Sequence, residues 1–178
     1  MATASKRSKL LQVIDEQESI NMAIEYQIEC DAGTVFQYLT DRDFLVERIE
    51  ALGEDPPTVK VSRKGKSVEI KLQRVRHLKL PAVAARIVGD DQRFEMIERW
   101  RADGDGWTGD YTLDVVGVPA RIEAEFELRP AADGCVYSIS HSPRVNVPLV
   151  GKKLEAILRR ETEQGCDAEI DYLVAAIA

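Results

Sequence analysis

Histidine and cysteine are scarce in this chain of 178 residues, and each shortage closes off a class of chemistry. The two histidines, His77 and His141, are too few for a histidine-rich metal site; only carboxylate sites stay formally open, and no metal is expected. The three cysteines, Cys30, Cys135 and Cys166, are odd in number, far apart and without C-x-x-C spacing. Neither a disulfide framework nor a zinc site is signalled, and reduced thiols in a cytoplasmic protein are the simplest account. No apolar run approaches the roughly 20 residues that span a bilayer, so integral membrane association is not expected. Positive charge is in deficit: the formal net charge of −7 argues against a phosphate-binding surface and against nucleic acid as a partner. Phosphate-loop glycine spacing is missing too. Gly104-Asp105-Gly106 reads as a strand-to-strand turn, Gly151-Lys152-Lys153 lacks the pattern, and no cofactor is expected.

What is present is enough apolar material for a core, 44% of residues, with no Pro/Gly/Ser-rich linker to divide it. Residues 20–178 read as one domain. The basic stretch Met1 to Lys9 is followed by Leu10 to Ile14, too short for a signal-peptide core, and residues 1–19 read as a flexible tail. From Ile20 to Cys30, apolar and polar residues alternate, which predicts a strand with one wet face. Asp31 and Asp41 then offer N-caps to two short helices carrying Val35, Phe36 and Leu39, and Phe44, Leu45 and Ile49. Gly53 and Pro56-Pro57 stop the second.

Thr58 to Arg63 and Ser67 to Arg76 read as a hairpin; its basic cluster, Lys60 to Arg76, could attract an acidic partner or membrane surface, but its alternation with apolar residues reads more simply as a solvated strand face. A proline opens a short Ala- and Val-rich run, Leu80 to Val88, that reads as one or two helical turns. Four further segments, Arg93 to Arg101, Trp107 to Val116, Ala120 to Arg129 and Cys135 to Val145, are separated by gaps short enough to make them antiparallel neighbours. Beyond Pro148 an apolar stripe through Val150, Leu154, Ile157, Leu158, Ala168, Tyr172, Leu173 and Ala176 predicts a helix of about eight turns. A half-wet sheet must bury its dry face against that helix, which makes the fold class α+β, with about seven strands.

This order of elements resembles the helix-grip fold of the START-like (SRPBCC) superfamily, over Ile20 to the end of the chain. V-F-Q-Y-L-T-D-R-D-F at Val35 to Phe44, E-R-W at Glu98 to Trp100 and V-P-L-V-G-K-K-L-E at Val147 to Glu155 resemble a bacterial family within it, the domain of unknown function 2505. The resemblance implies a cavity between a curved sheet and the long helix, of the kind that holds lipids or polyketide-like molecules in characterised relatives. It carries no catalytic motif.

In such a cavity the informative residues are the polar ones that interrupt an apolar face. Glu98 shares a face with Phe94, Met96 and Trp100, unless a bulge shifts the register; half-desolvated, it would have a raised pKa and serve as an acid, base or donor. A sheet-edge position or a pairing with a nearby Arg is the plainer alternative. His141, with Cys135, Tyr137 and Ile139, could enter the same space, or be a satisfied core or rim histidine. Tyr111 and Tyr137 offer phenol hydroxyls or plain packing, and Leu113, Phe126, Leu154 and Leu158 the apolar walls. Gly165 leaves room in the helix stripe, or permits a close strand or a bend, and Glu161 faces either pocket or rim.

Three functional readings follow. The first is binding or transport of a hydrophobic small molecule. The second is a cyclase- or hydrolase-type enzyme using Glu98 and His141 as acid and base. The third is a protein-interaction module whose core is filled by its own side chains. No heptad sets an oligomeric state, and a monomer or weak dimer is the default.

Overall fold

The computed structural model describes residues 6–10, 23–77, 82, 85–86, 89 and 91–178. Its strands are β1 (Lys6–Leu10), β2 (Ala23–Ile28), β3 (Thr58–Lys64), β4 (Ser67–His77), β5 (Asp91–Asp103), β6 (Gly106–Val115), β7 (Ala120–Ala131) and β8 (Gly134–Val145). The helices are α1 (Ala32–Leu39), α2 (Arg42–Ala51) and α3 (Gly151–Ile177). All strands join one antiparallel sheet in the order β1-β2-β8-β7-β6-β5-β4-β3. The sheet is curved and open, and seven of its strands are those the sequence predicts. The eighth, Lys6–Leu10, falls within the segment read as a tail and instead lies along the outer edge of β2. An open edge presents unpaired N–H and C=O groups, which a further strand satisfies. Residues 20–22 of the first expected strand, and all of the expected turns at 80–88 except the helical Ala82, Ala85 and Arg86, lie outside the described residues.

Each local rule has a visible partner. Asp31 caps α1 by accepting from Thr34 N–H at 2.9 Å, and Asp41 caps α2 by accepting from Phe44 N–H at 2.8 Å. On β7, Ile122, Ala124, Phe126 and Leu128 are buried while the charged residues between them are exposed. The dry faces of the strands meet α3, α1 and α2 in one core. Gly109 of β6 is required by close approach, since a Cβ there would overlap the Phe126 ring and the Arg99 carbonyl. No described helix is long and apolar enough to cross a membrane.

The motif Val147 to Glu155 fastens α3 to the sheet. A Cβ on Gly151 would lie 2.6 Å from the Val145 carbonyl oxygen, so only glycine lets the helix start this close to the end of β8. One turn on, Leu154 is buried against Val145, and Glu155 Oε1 accepts the Val145 N–H at 2.9 Å. Further along α3, Leu173 of the expected stripe is buried and Tyr172 reaches Glu47 at 2.8 Å, while Ile170, outside that stripe, is buried too and Ala176 is exposed.

Candidate functional site

Between the sheet and α3 lies a cavity of about 100 Å3. Its register is set by β5, which pairs with β4 and β6 without a bulge, so the period of two holds from Gln92 to Trp100. Phe94, Met96, Glu98 and Trp100 therefore all face the cavity, joined by Tyr111 and Leu113 from β6 and Tyr137 from β8. α3 contributes Leu158, Glu161, Gly165, Cys166 and Glu169, and α2 contributes Arg48. The wall is largely apolar on the sheet side and charged where α2, β4 and α3 converge.

Three expected site residues stand elsewhere. Phe126 is one layer back, its ring centroid 4.4 Å from that of Trp100, because Gly109 lets the ring fold over its neighbouring strand. Leu154 belongs to the separate cluster that anchors the start of α3. His141 is buried but does not line the cavity; its Nε2 is 3.5 Å from Cys166 Sγ, and its Nδ1 has no partner among the described residues. Gly165 does not open cavity space either. The region above it holds the Arg76 guanidinium, whose Nη1 would be 3.3 Å from an added Cβ. Glu161 lies at the rim and pairs with Arg160 at 3.0 Å.

Lys60, Arg63, Lys64, Lys66 and Lys71 of the hairpin are exposed as expected, but its last two arginines are not. Arg74 and Arg76 share the parity of Val68, Ile70 and Leu72 and turn inward rather than onto a solvated face. Glu169 bridges two guanidiniums, accepting from Arg48 Nη2 at 2.9 Å and Arg74 Nη1 at 2.8 Å. Glu54 accepts from Arg76 Nε at 2.9 Å and lies 3.7 Å from Arg74. Burial alone would raise the pKa of Glu169, but Arg48 and Arg74 draw it down to about 2. Glu54 goes the other way, burial outweighing Arg74 and Arg76. One signal was available: Arg48 sits one residue before Ile49 on the buried side of a short helix, where an uncompensated cation is not tolerated.

Glu98 is the polar interruption on the sheet side. Trp100 Nε1 donates to its Oε1, while burial raises its pKa to about 7 against the opposing influence of that hydrogen bond and of Arg48. Burial likewise pushes Tyr111 and Tyr137 well up, Cys166 up to about 12 and His141 down to about 4. The Cys166–His141 pair is thus a neutral thiol against a neutral imidazole. Among the described residues, no group of His, Cys, Asp and Glu side chains is placed to hold a metal ion.

The model of the family described as "Protein of unknown function (DUF2505)" matches residues 23–177. The chain belongs to that family. No curated protein matches it. Solved structures similar in fold include TTHA0849 from Thermus thermophilus, at 14% identity, covering 88% of this chain and 97% of that one with a TM-score of 0.60. A START superfamily protein from Mycobacterium smegmatis is 13% identical, with 88% and 96% coverage and a TM-score of 0.56. Ara h 8.0201 is 14% identical, with 86% and 96% coverage and a TM-score of 0.55. At these identities the likeness is one of fold, and the E-R-W and V-P-L-V-G-K-K-L-E segments of this family member are seen to serve, respectively, the cavity wall and the seating of α3.

Proposed function

We propose that this protein binds a hydrophobic small molecule in the cavity under α3, as a carrier or sensor acting as a monomer or weak dimer in the cytoplasm. The observation that carries this reading is the meeting, in one cavity, of an apolar sheet wall with a few polar groups, Glu98, Arg48, Arg74 and Glu169. Apolar burial supplies affinity at roughly 25 cal/mol per Å2, and sparse polar groups fix orientation. The volume bounds the occupant. An apolar cavity of about 150 Å3 takes up benzene, so about 100 Å3 suits a compact molecule, and a lipid or polyketide would have to displace α3.

The acid–base reading is disfavoured by the sheet register. Glu98 pairs across with Tyr111, Tyr111 with Ala124, and Ala124 with His141, so the two groups stand three strands apart in one row. Adjacent strands are about 4.8 Å apart, and a shared reacting atom would need both within hydrogen-bond reach.

Trp100 reports on occupancy directly, because it lines the cavity while Trp107 stacks on Phe36 with ring centroids 4.4 Å apart. In a Trp107→Phe background, titration with small apolar compounds should shift Trp100 emission saturably. Native mass spectrometry of protein purified without detergent should show a stoichiometric adduct. Protein that carries nothing and whose Trp100 emission ignores every such compound would favour a filled-core interaction module instead.

A further inference from the structure

Charge does not balance around the cavity. Arg48, Arg74 and Arg76 are answered by Glu169 and Glu54, and Glu161 is already engaged with Arg160 at the rim. Glu169 uses one oxygen on Arg48 and the other on Arg74, leaving no lone carboxylate oxygen for a second bond to each guanidinium fork. The Nε atoms of Arg48 and Arg74 are both buried without a partner among the described residues, and both side chains line the cavity. Arg48 is only 7% exposed. Glu54 Oε2 is also unpaired, but Glu54 does not line the cavity. Guanidinium groups bind carboxylates through paired N–H donors, so this side of the cavity has the donors and the surplus charge for one more carboxylate.

Resting on the binding function proposed above, we infer that the cavity selects a small monocarboxylic acid, its carboxylate at Arg48 and Arg74 and its apolar body against Phe94, Met96 and Leu113, with Glu98 protonated in the complex. Glu98 decides the sign of the site. Ionised, it cancels the surplus positive charge; protonated, it leaves that charge for the ligand and gains an O–H donor while still accepting from Trp100. The groups that act on it are Arg48 from α2, Glu169 from α3, Tyr111 from β6 and Tyr137 from β8, with Arg74 and Arg76 of β4 behind Glu169. Neither tyrosine ionises in the neutral range, so proton uptake on binding falls to Glu98.

The test compares butyrate with 1-butanol, and isobutyrate with isobutanol, all small enough for about 100 Å3, by calorimetry on the intact wild-type protein near pH 6 and pH 8. The acids should bind at least about tenfold more tightly than the alcohols near pH 6, and their affinity should fall about tenfold by pH 8, in proportion to the protonated fraction of Glu98. Buffers of different ionisation enthalpy should reveal about one proton taken up per ligand at the higher pH. Glu98→Gln should bind the acids with no such pH dependence. Alcohols that bind as well as the acids would overturn the carboxylate assignment and leave the apolar-cavity reading standing. Acid binding without proton uptake would overturn the role of Glu98. Failure of all four compounds would remove both proposals. The ligand comparison needs no substitution at Arg48, whose loss would strand Glu169 and threaten folding.

Discussion

Glu98→Gln makes the half-buried acid of the cavity measurable as a stability difference. The carboxyl titrates near its ordinary 4.5 when unfolded and at about 7 when folded. A group whose folded pKa is raised contributes stability that is fully present below the unfolded value and lost as pH rises through the folded one. Between roughly pH 4.5 and pH 8 the wild type should therefore lose about 3 kcal/mol through this residue, at 1.36 kcal/mol per pKa unit. Glutamine keeps an oxygen for Trp100 Nε1 and does not titrate. Unfolding by urea at both pH values gives the difference between the two proteins, in which contributions from Glu169 and His141 cancel. The variant should gain about 3 kcal/mol on wild type as pH goes from 4.5 to 8. A difference that stays constant across that range would mean Glu98 is ionised and solvated in the folded protein, and the cavity is wetter than its lining indicates.

Removing the carboxylate of Glu169 by Glu169→Ala leaves Arg48 without its carboxylate and Arg74 with only Glu54 at 3.7 Å, and should cost about 3–5 kcal/mol in urea unfolding; a loss under about 1 kcal/mol would place the stabilising centre elsewhere. Gly109→Ala drives a methyl into the Phe126 ring and the Arg99 carbonyl, and should destabilise by about 1–3 kcal/mol or more, with a matching drop in melting temperature. His141, its pKa lowered to about 4 by burial, contributes stability present above 6.5 and lost as pH falls through 4. Nitrogen NMR near pH 5.5 should find it neutral while His77, raised by its hydrogen bond to Asp91, is charged; a His141 transition near 6.5 would contradict its burial.

Strand periodicity made the sheet side of the cavity legible, because alternation survives wherever pairing is unbroken: Phe94, Met96, Glu98 and Trp100 fall where a period of two puts them. The charged side was illegible for a related reason. Arg74 and Arg76 keep the inward parity of Ile70 and Leu72, yet an arginine on a strand reads as solvated unless its partner is known, and Glu169 lies about a hundred residues away in sequence. His141 obeys the alternation of β8 as well, but Cys166 of α3 stands against it, and no local pattern reveals which residue of a distant helix will cover a given strand position. Gly165 offered room, a close strand or a bend on sequence alone, and what comes close to it is the Arg76 guanidinium, a neighbour no helical pattern announces.

The sheet order carries a consequence for how the chain acquires its shape. From β3 to β8 each strand pairs with its sequence neighbour, so this half can zip up hairpin by hairpin at small loop-closure cost. β2 instead waits for β8, Ile28 finding Cys135 across more than a hundred residues. α3 follows every strand in the chain, so during synthesis the hairpins stand with their apolar face bare until the helix emerges. Gly151, Leu154 and Glu155, by pinning the helix start to Val145, shorten that search to the swing of a single rod about a fixed hinge.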